Sequence, residues 1–176
     1  MNFKRLFLDL FLILAVTGCS SLMFGQRIIP RYKGVDPKLQ PYVNDYLNLA
    51  KAHGIVFDKS VTIGFTDIKS GSIIGVTNYG LGFREIDIDR VFWQNASTLS
   101  KIALIWHETS HAYCDREHDY RGKKYKETDN YSTNSQGFYQ DNCPKSILFP
   151  IISDDECIFI HFSDYENEIF ENCKPY

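Results

Sequence analysis

The apolar positions of this chain change rhythm several times, and each change predicts an element. From residue 36 they recur every three or four residues. Leu39, Val43, Tyr46, Leu47 and Ala50 share one face, which predicts a helix. Asp36 can cap its start, Pro37 suits its first position, Pro41 is tolerable only within the first turn, and Gly54 ends it. The rhythm then tightens to every second residue. Residues 61–68 and 72–80 are β-rich runs joined by a turn at Lys69, Ser70 and Gly71. In residues 84–93, Ile86 and Ile88 alternate with Glu85, Asp87 and Asp89, predicting a strand with one buried and one wet face, at a sheet edge. Asn95 or Ser97 then offers an N-cap to a helix through Leu99, Ile102, Ala103, Ile105, Trp106 and Ala112.

The second half is less regular. Residues 119–142 are polar and carry Tyr120, Tyr125, Tyr131 and Tyr139; a loop this long is usually functional or disordered. The run "CIFIHF" (157–162) reads as a strand, and Ser163 with Glu166 forms an S-x-x-E capping box opening a helix over residues 164–172. The prediction is an α+β domain over residues 35–176, with a small twisted mixed sheet that has an edge strand, a central helix and a short C-terminal helix.

Composition narrows the class. The 176 residues suffice for one domain with its own core. A net charge of −3 with no basic run beyond "RGKKYK" argues against a nucleic-acid partner. The first residues read as an export signal rather than a membrane span. Lys4 and Arg5 precede an apolar run that is short and broken by Asp9, and small residues surround Cys19. The stretch "VTGC" resembles a bacterial lipobox, which implies a signal peptide over 1–18, lipidation at Cys19 and a tether over 19–34. The expected location is therefore the bacterial cell envelope, lipid-anchored. Beyond Cys19 there remain Cys114, Cys143, Cys157 and Cys173, an even number that favours two disulfides in an exported chain and leaves three pairings open.

The chemistry concentrates in "HETSH". His107 and His111 stand at i and i+4, on one helical face and one turn apart, so both imidazoles can hold one metal ion. This HExxH pattern suits Zn2+, with Glu108 beside the metal as general base. His118 is the candidate third ligand, with Glu117 or Asp119 as alternatives and Glu127 as a more remote one. Seven residues of continued helix would place His118 about 10.5 Å too far along. The helix must therefore stop and the chain double back. No glycine lies between 112 and 118, so Asp115 is the residue expected to turn left-handed.

Together with a later "CPKSILFP", these residues resemble metzincin-type zinc metallopeptidases. The nearer likeness is to small bacterial and phage-type metallopeptidases reading H-E-L-G-H-C-x-L-x-R-x-H … C-P-x-S-I-M-x-P. The first-to-third histidine spacing, Arg116, Cys143, Pro144, Ser146, Ile147 and Pro150 all match, over roughly residues 84–151. Thr109 and Ser110 replace Leu-Gly, and Leu148 replaces the methionine of the Met-turn, a volume-conserving swap. Relative to metzincins proper, the third histidine comes one residue later and the intervening glycine is missing.

The resemblance implies a zincin-like fold in which Ser146, Ile147 and Leu148 form a turn beneath the metal. It also implies that Cys143 lies near Cys114, hence disulfides Cys114–Cys143 and Cys157–Cys173. The implied activity is that of a zinc-dependent endopeptidase acting on peptide or protein substrates, with strand 86–89 pairing with the substrate and a loop tyrosine or Tyr165 as oxyanion donor. Two rivals stand beside it: a non-catalytic envelope lipoprotein using the same scaffold for binding, and a zinc-free surface protein. The substrate's identity and the oligomeric state leave no trace in the sequence.

Overall fold

The computed structural model describes residues 27–69, 71–119 and 138–176. The expected signal peptide over residues 1–18, Cys19, Ser70, Glu127 and most of the tyrosine-bearing loop lie outside them. Among the described residues the fold is α+β. Three strands, β1 (Thr62–Thr66), β2 (Gly75–Gly80) and β3 (Phe83–Asp89), form a mixed sheet of order β1-β3-β2. β1 runs parallel to β3, with Ile63 opposite Ile86, and β2 runs antiparallel, with Thr77 opposite Ile86. The two β-rich runs expected to adjoin are therefore separated by the third.

Helix α1 (Gln40–Ala52) buries Leu39, Val43, Tyr46 and Ala50. It starts at Gln40, with Pro41 in its first turn, rather than at Pro37. Residues 37–39 form a turn instead, in which Asp36 accepts the Lys38 N–H. Gly54, at φ 74°, closes the helix end, where its neighbour Ile55 donates to the Ala50 carbonyl. After β3 come a short helix, α2 (Arg90–Asn95), and the long α3 (Thr98–Cys114). Ser97 caps α3 by accepting the Ser100 N–H at 3.0 Å. α3 packs on α1 and on the Ile86–Ile88 face of the sheet, burying Ala103, Leu104, Ile105 and Ala112.

The strand carrying Glu85, Asp87 and Asp89 is central, not an edge. Its acidic face is buried as well, with Glu85 wholly inaccessible. Residues 27–34, expected within a tether, supply the reason. Arg27 pairs with Glu85, and Arg31 with Asp87 at 3.1 Å. The Tyr32 hydroxyl donates to Asp87 at 2.7 Å, and its backbone N–H donates to Glu85 at 3.2 Å. Asp89 caps α2, accepting the Phe92 N–H at 2.7 Å, and so ends the strand four residues before Trp93. Alternation of polar and apolar residues reveals two chemically different faces; it does not reveal that a strap of arginines covers the polar one.

Two further expectations give way near the C-terminus. "CIFIHF" is not a strand. Asp154 caps α4 (Asp155–Ile160), accepting the Cys157 N–H at 2.9 Å, and an N-cap followed by acidic residues outweighs β propensity there. The terminal helix α5 (Phe162–Glu168) begins at His161 without a side-chain cap, so Ser163 is inside it and forms no capping box. The disulfides are Cys114–Cys173 and Cys143–Cys157, not Cys114–Cys143 and Cys157–Cys173. Because residues 155–160 coil as a helix, Cys157 stays beside the turn bearing Cys143. The C-terminal residues meanwhile run back along α3, where Lys174 and Tyr176 donate to the carbonyls of Cys114 and Tyr113, both at 2.9 Å.

Candidate metal centre

His107 and His111 project from the C-terminal half of α3. The helix stops where expected: Asp115 takes the left-handed conformation, at φ 54° and ψ 32°. Arg84, near the start of β3, fastens this end. Its guanidinium donates to the Ala112 carbonyl at 2.6 Å and pairs with Asp115 at 2.9 Å, a cation at a helix C-terminus. The chain then doubles back, and His118 returns to the helix. His107 Nε2 lies 3.1 Å from His111 Nε2 and 3.2 Å from His118 Nε2. One ligand atom from each of the three can be chosen so that all lie within 4.8 Å of one another.

The second ring nitrogens explain why the first ones converge. His107 Nδ1 is 2.8 Å from the Ile147 carbonyl, and His111 Nδ1 is 2.5 Å from the Arg116 carbonyl. A carbonyl only accepts, so both Nδ1 atoms carry the proton and both Nε2 atoms present bare lone pairs. Burial first, and then the neighbouring imidazoles, drive His107 down to about 3; burial drives His111 down to about 4, so both rings are neutral near pH 7. Two lone pairs facing each other at 3.1 Å repel unless a cation lies between them. Nitrogens bound tetrahedrally to zinc at 2.0–2.1 Å stand about 3.3 Å apart, close to the two separations from His107 Nε2, so the group is compatible with a metal ion of that kind.

Glu108 sits next to this group and is buried. Burial pushes its carboxyl up to about 7, opposed by the Thr77 hydroxyl, which donates to it at 2.8 Å. Thr77 and Gly75 belong to β2, so that strand supplies the wall facing Glu108. A Cβ placed on Gly75 would meet Glu108 Oε1 at 2.6 Å, so with the carboxylate where it is only glycine fits at this position. The three histidines and Glu108 open into one cleft of about 830 Å3, whose apolar wall includes Ile73, Ile74, Val76, Leu104, Ile151 and Ile152.

The predicted turn lies beneath the histidines. Ser146, Ile147 and Leu148 are buried; Leu148 N–H donates to the Ser146 hydroxyl at 3.0 Å, and the Ile147 carbonyl holds His107. Of the tyrosines considered as oxyanion donors, Tyr165 is buried and donates its hydroxyl to the Pro144 carbonyl. Tyr79, which the sequence did not single out, lines the cleft and donates to the His111 carbonyl at 3.1 Å. His53 and His161 lie elsewhere, His53 beside the Phe170 ring and His161 stacked on Tyr139 at 3.7 Å and paired with Asp141 at 2.8 Å. Asp141, Cys143 and His161 also cluster, but the Cys143 sulfur is spent in its disulfide.

The fold and site together define an α+β protein with a three-histidine group, suited to a metal ion, formed by α3 and the chain reversal that follows it. In comparison with known proteins, no protein-family model, no curated protein and no solved structure matches the chain.

Proposed function

We propose that the chain is a zinc-dependent peptidase of the cell envelope, anchored through a lipid on Cys19. The observation that carries this reading is the convergence of three imidazole Nε2 atoms beside a buried, glycine-approached carboxylate in an open cleft. A site serving structure alone has no need of a carboxylate held next to its ligands and facing a cleft. Zinc bound by His107, His111 and His118 would supply Lewis-acid activation of water and of a peptide carbonyl. Glu108 would then act as the general base, taking a proton from the attacking water and delivering it to the leaving amine.

β2 replaces residues 86–89 as the strand that meets substrate. It is an edge of the sheet and also lines the cleft, so an extended peptide can add to it as a further strand. Among the described residues that line the cleft, the only acidic side chain is Glu108 and none is Lys or Arg. An apolar substrate side chain beside the scissile bond suits that wall.

The test is metal analysis of the purified chain together with cleavage of a mixed peptide library, wild type against Glu108→Gln. We expect one zinc per chain in both proteins and a turnover about 10²–10⁴-fold lower in the variant. A chain without stoichiometric zinc sinks the proposal. Full zinc with no cleavage by the wild type would instead indicate a non-catalytic zinc-binding lipoprotein.

A further inference from the structure

We propose that Glu168, the last residue of α5, is the positioning residue of the three-histidine centre, holding in place the backbone carbonyls that orient the ligands. The inference rests on the metal reading above. Glu168 is only 3% exposed, and it accepts hydrogen bonds from two segments that are distant in sequence. From the 146–148 turn, the Ser146 hydroxyl donates to its Oε1 at 3.0 Å and the Ile147 N–H to its Oε2 at 3.2 Å. From the chain reversal, the Arg116 guanidinium donates to Oε1 and, at 2.6 Å, to the Glu168 carbonyl.

These are the segments that hold the imidazoles. The Ile147 carbonyl receives the proton of His107 Nδ1, and the Arg116 carbonyl that of His111 Nδ1. His118 is tied to the same turn one residue later, since the Asp119 N–H donates to the Leu148 carbonyl at 3.1 Å. One carboxylate thus joins the supports of the His107 and His111 rings, and the turn it holds also anchors the backbone next to His118. Its chemistry is specific. It accepts from a hydroxyl, an amide and a guanidinium at once, whereas a glutamine would turn an NH2 group toward one of these donors. Stability alone does not account for it, because a buried ion pair is often no more stabilising than well-packed apolar residues. Partners one step behind a ligand commonly govern its affinity and orientation.

The test uses the full chain and compares Glu168→Gln and Ser146→Ala with Ser97→Ala, which weakens α3 at its far end. Zinc affinity is measured by competition with a chromophoric chelator, ligand geometry by the visible spectrum of the cobalt(II)-substituted protein, and stability by thermal melting. We expect Glu168→Gln to weaken zinc binding about 10–100-fold and to alter the cobalt bands, Ser146→Ala to do so less, and Ser97→Ala to lower the melting point with zinc affinity within about twofold. Wild-type zinc affinity in Glu168→Gln, or an equal loss in Ser97→Ala, overturns the inference. Should Glu168→Gln not fold, Ser146→Ala against Ser97→Ala decides by the same criterion. A wild-type chain that binds neither zinc nor cobalt overturns the metal reading itself, and this inference with it.

Discussion

Gly75 and Glu108 show how finely a single position can set this site. The strand β2 passes so close to the carboxylate that a methyl group on Gly75 would stand 2.6 Å from an oxygen of Glu108. Thr77, two residues along the same strand, fixes the other oxygen. Gly75→Ala should therefore push Glu108 aside while leaving the histidines as they are. We expect zinc content to stay at wild-type level and turnover to fall by about 10²-fold, because displacement of a catalytic group by about 1 Å carries losses of that order. Unchanged turnover in this variant would mean that the carboxylate has room to move or that its placement is not critical.

At the scale of elements, the histidine-bearing helix α3 is fastened at both ends by groups from distant sequence. Its start is joined to α4 through Asp155, whose Oδ1 accepts the hydroxyls of Ser100 and Ser97, each at 2.7 Å. Those bonds, the Ser100 one first, hold the Asp155 carboxyl below its ordinary value. A depressed folded-state value contributes stability above the unfolded value, about 3.9, that is lost as the pH falls through the folded one. Asp155→Asn should accordingly melt below wild type near pH 7, and the two curves should converge at strongly acidic pH. A gap that persists undiminished in acid would assign the loss to packing instead.

The far end of α3 is held by the Cys114–Cys173 bridge, whose residues are 59 apart in sequence, against 14 for Cys143–Cys157. Chain-entropy arguments assign about 4 kcal/mol to the first and about 3 kcal/mol to the second. Paired Cys→Ala replacements followed by denaturant unfolding check both values. The first pair should also weaken metal binding more than the second, since Cys114 ends the helix immediately before the reversal that returns His118. Equal effects on the metal would show that the reversal is held by Arg84 and Arg116 alone.

On the scale of the whole molecule, the sheet separates two jobs. One face receives α3 and, beside it, the cleft; the other is covered by residues 27–34 through Arg27, Arg31 and Tyr32. Among the described residues no helix is long and apolar enough to cross a membrane. Attachment in our reading comes from lipid on Cys19. Cys19→Ser should move the protein from the membrane fraction to the soluble fraction on cell fractionation, with peptide cleavage by the released chain retained. A variant that remains with the membranes would exclude a lipid on this residue as the anchor.

Local signals carried the parts of this protein that depend on spacing alone. The HExxH period, the Ser97 cap, the apolar face of α1 and the left-handed turn at Asp115 are each set by neighbours within a few residues, and each stands in the fold. The turn of Ser146, Ile147 and Leu148 is local too, but its place beneath the histidines is implied only by a family resemblance. Tertiary structure decided whatever depends on which segments meet. Glu85, Asp87 and Asp89 read as a wet edge because nothing nearby in sequence shows that Arg27 and Arg31 will neutralise them. Four cysteines permit three pairings, and the helical path of residues 155–160 selected among them. Glu168 was silent for the same reason. A carboxylate near a chain end looks like surface charge until the donors of Arg116, Ser146 and Ile147 are folded around it.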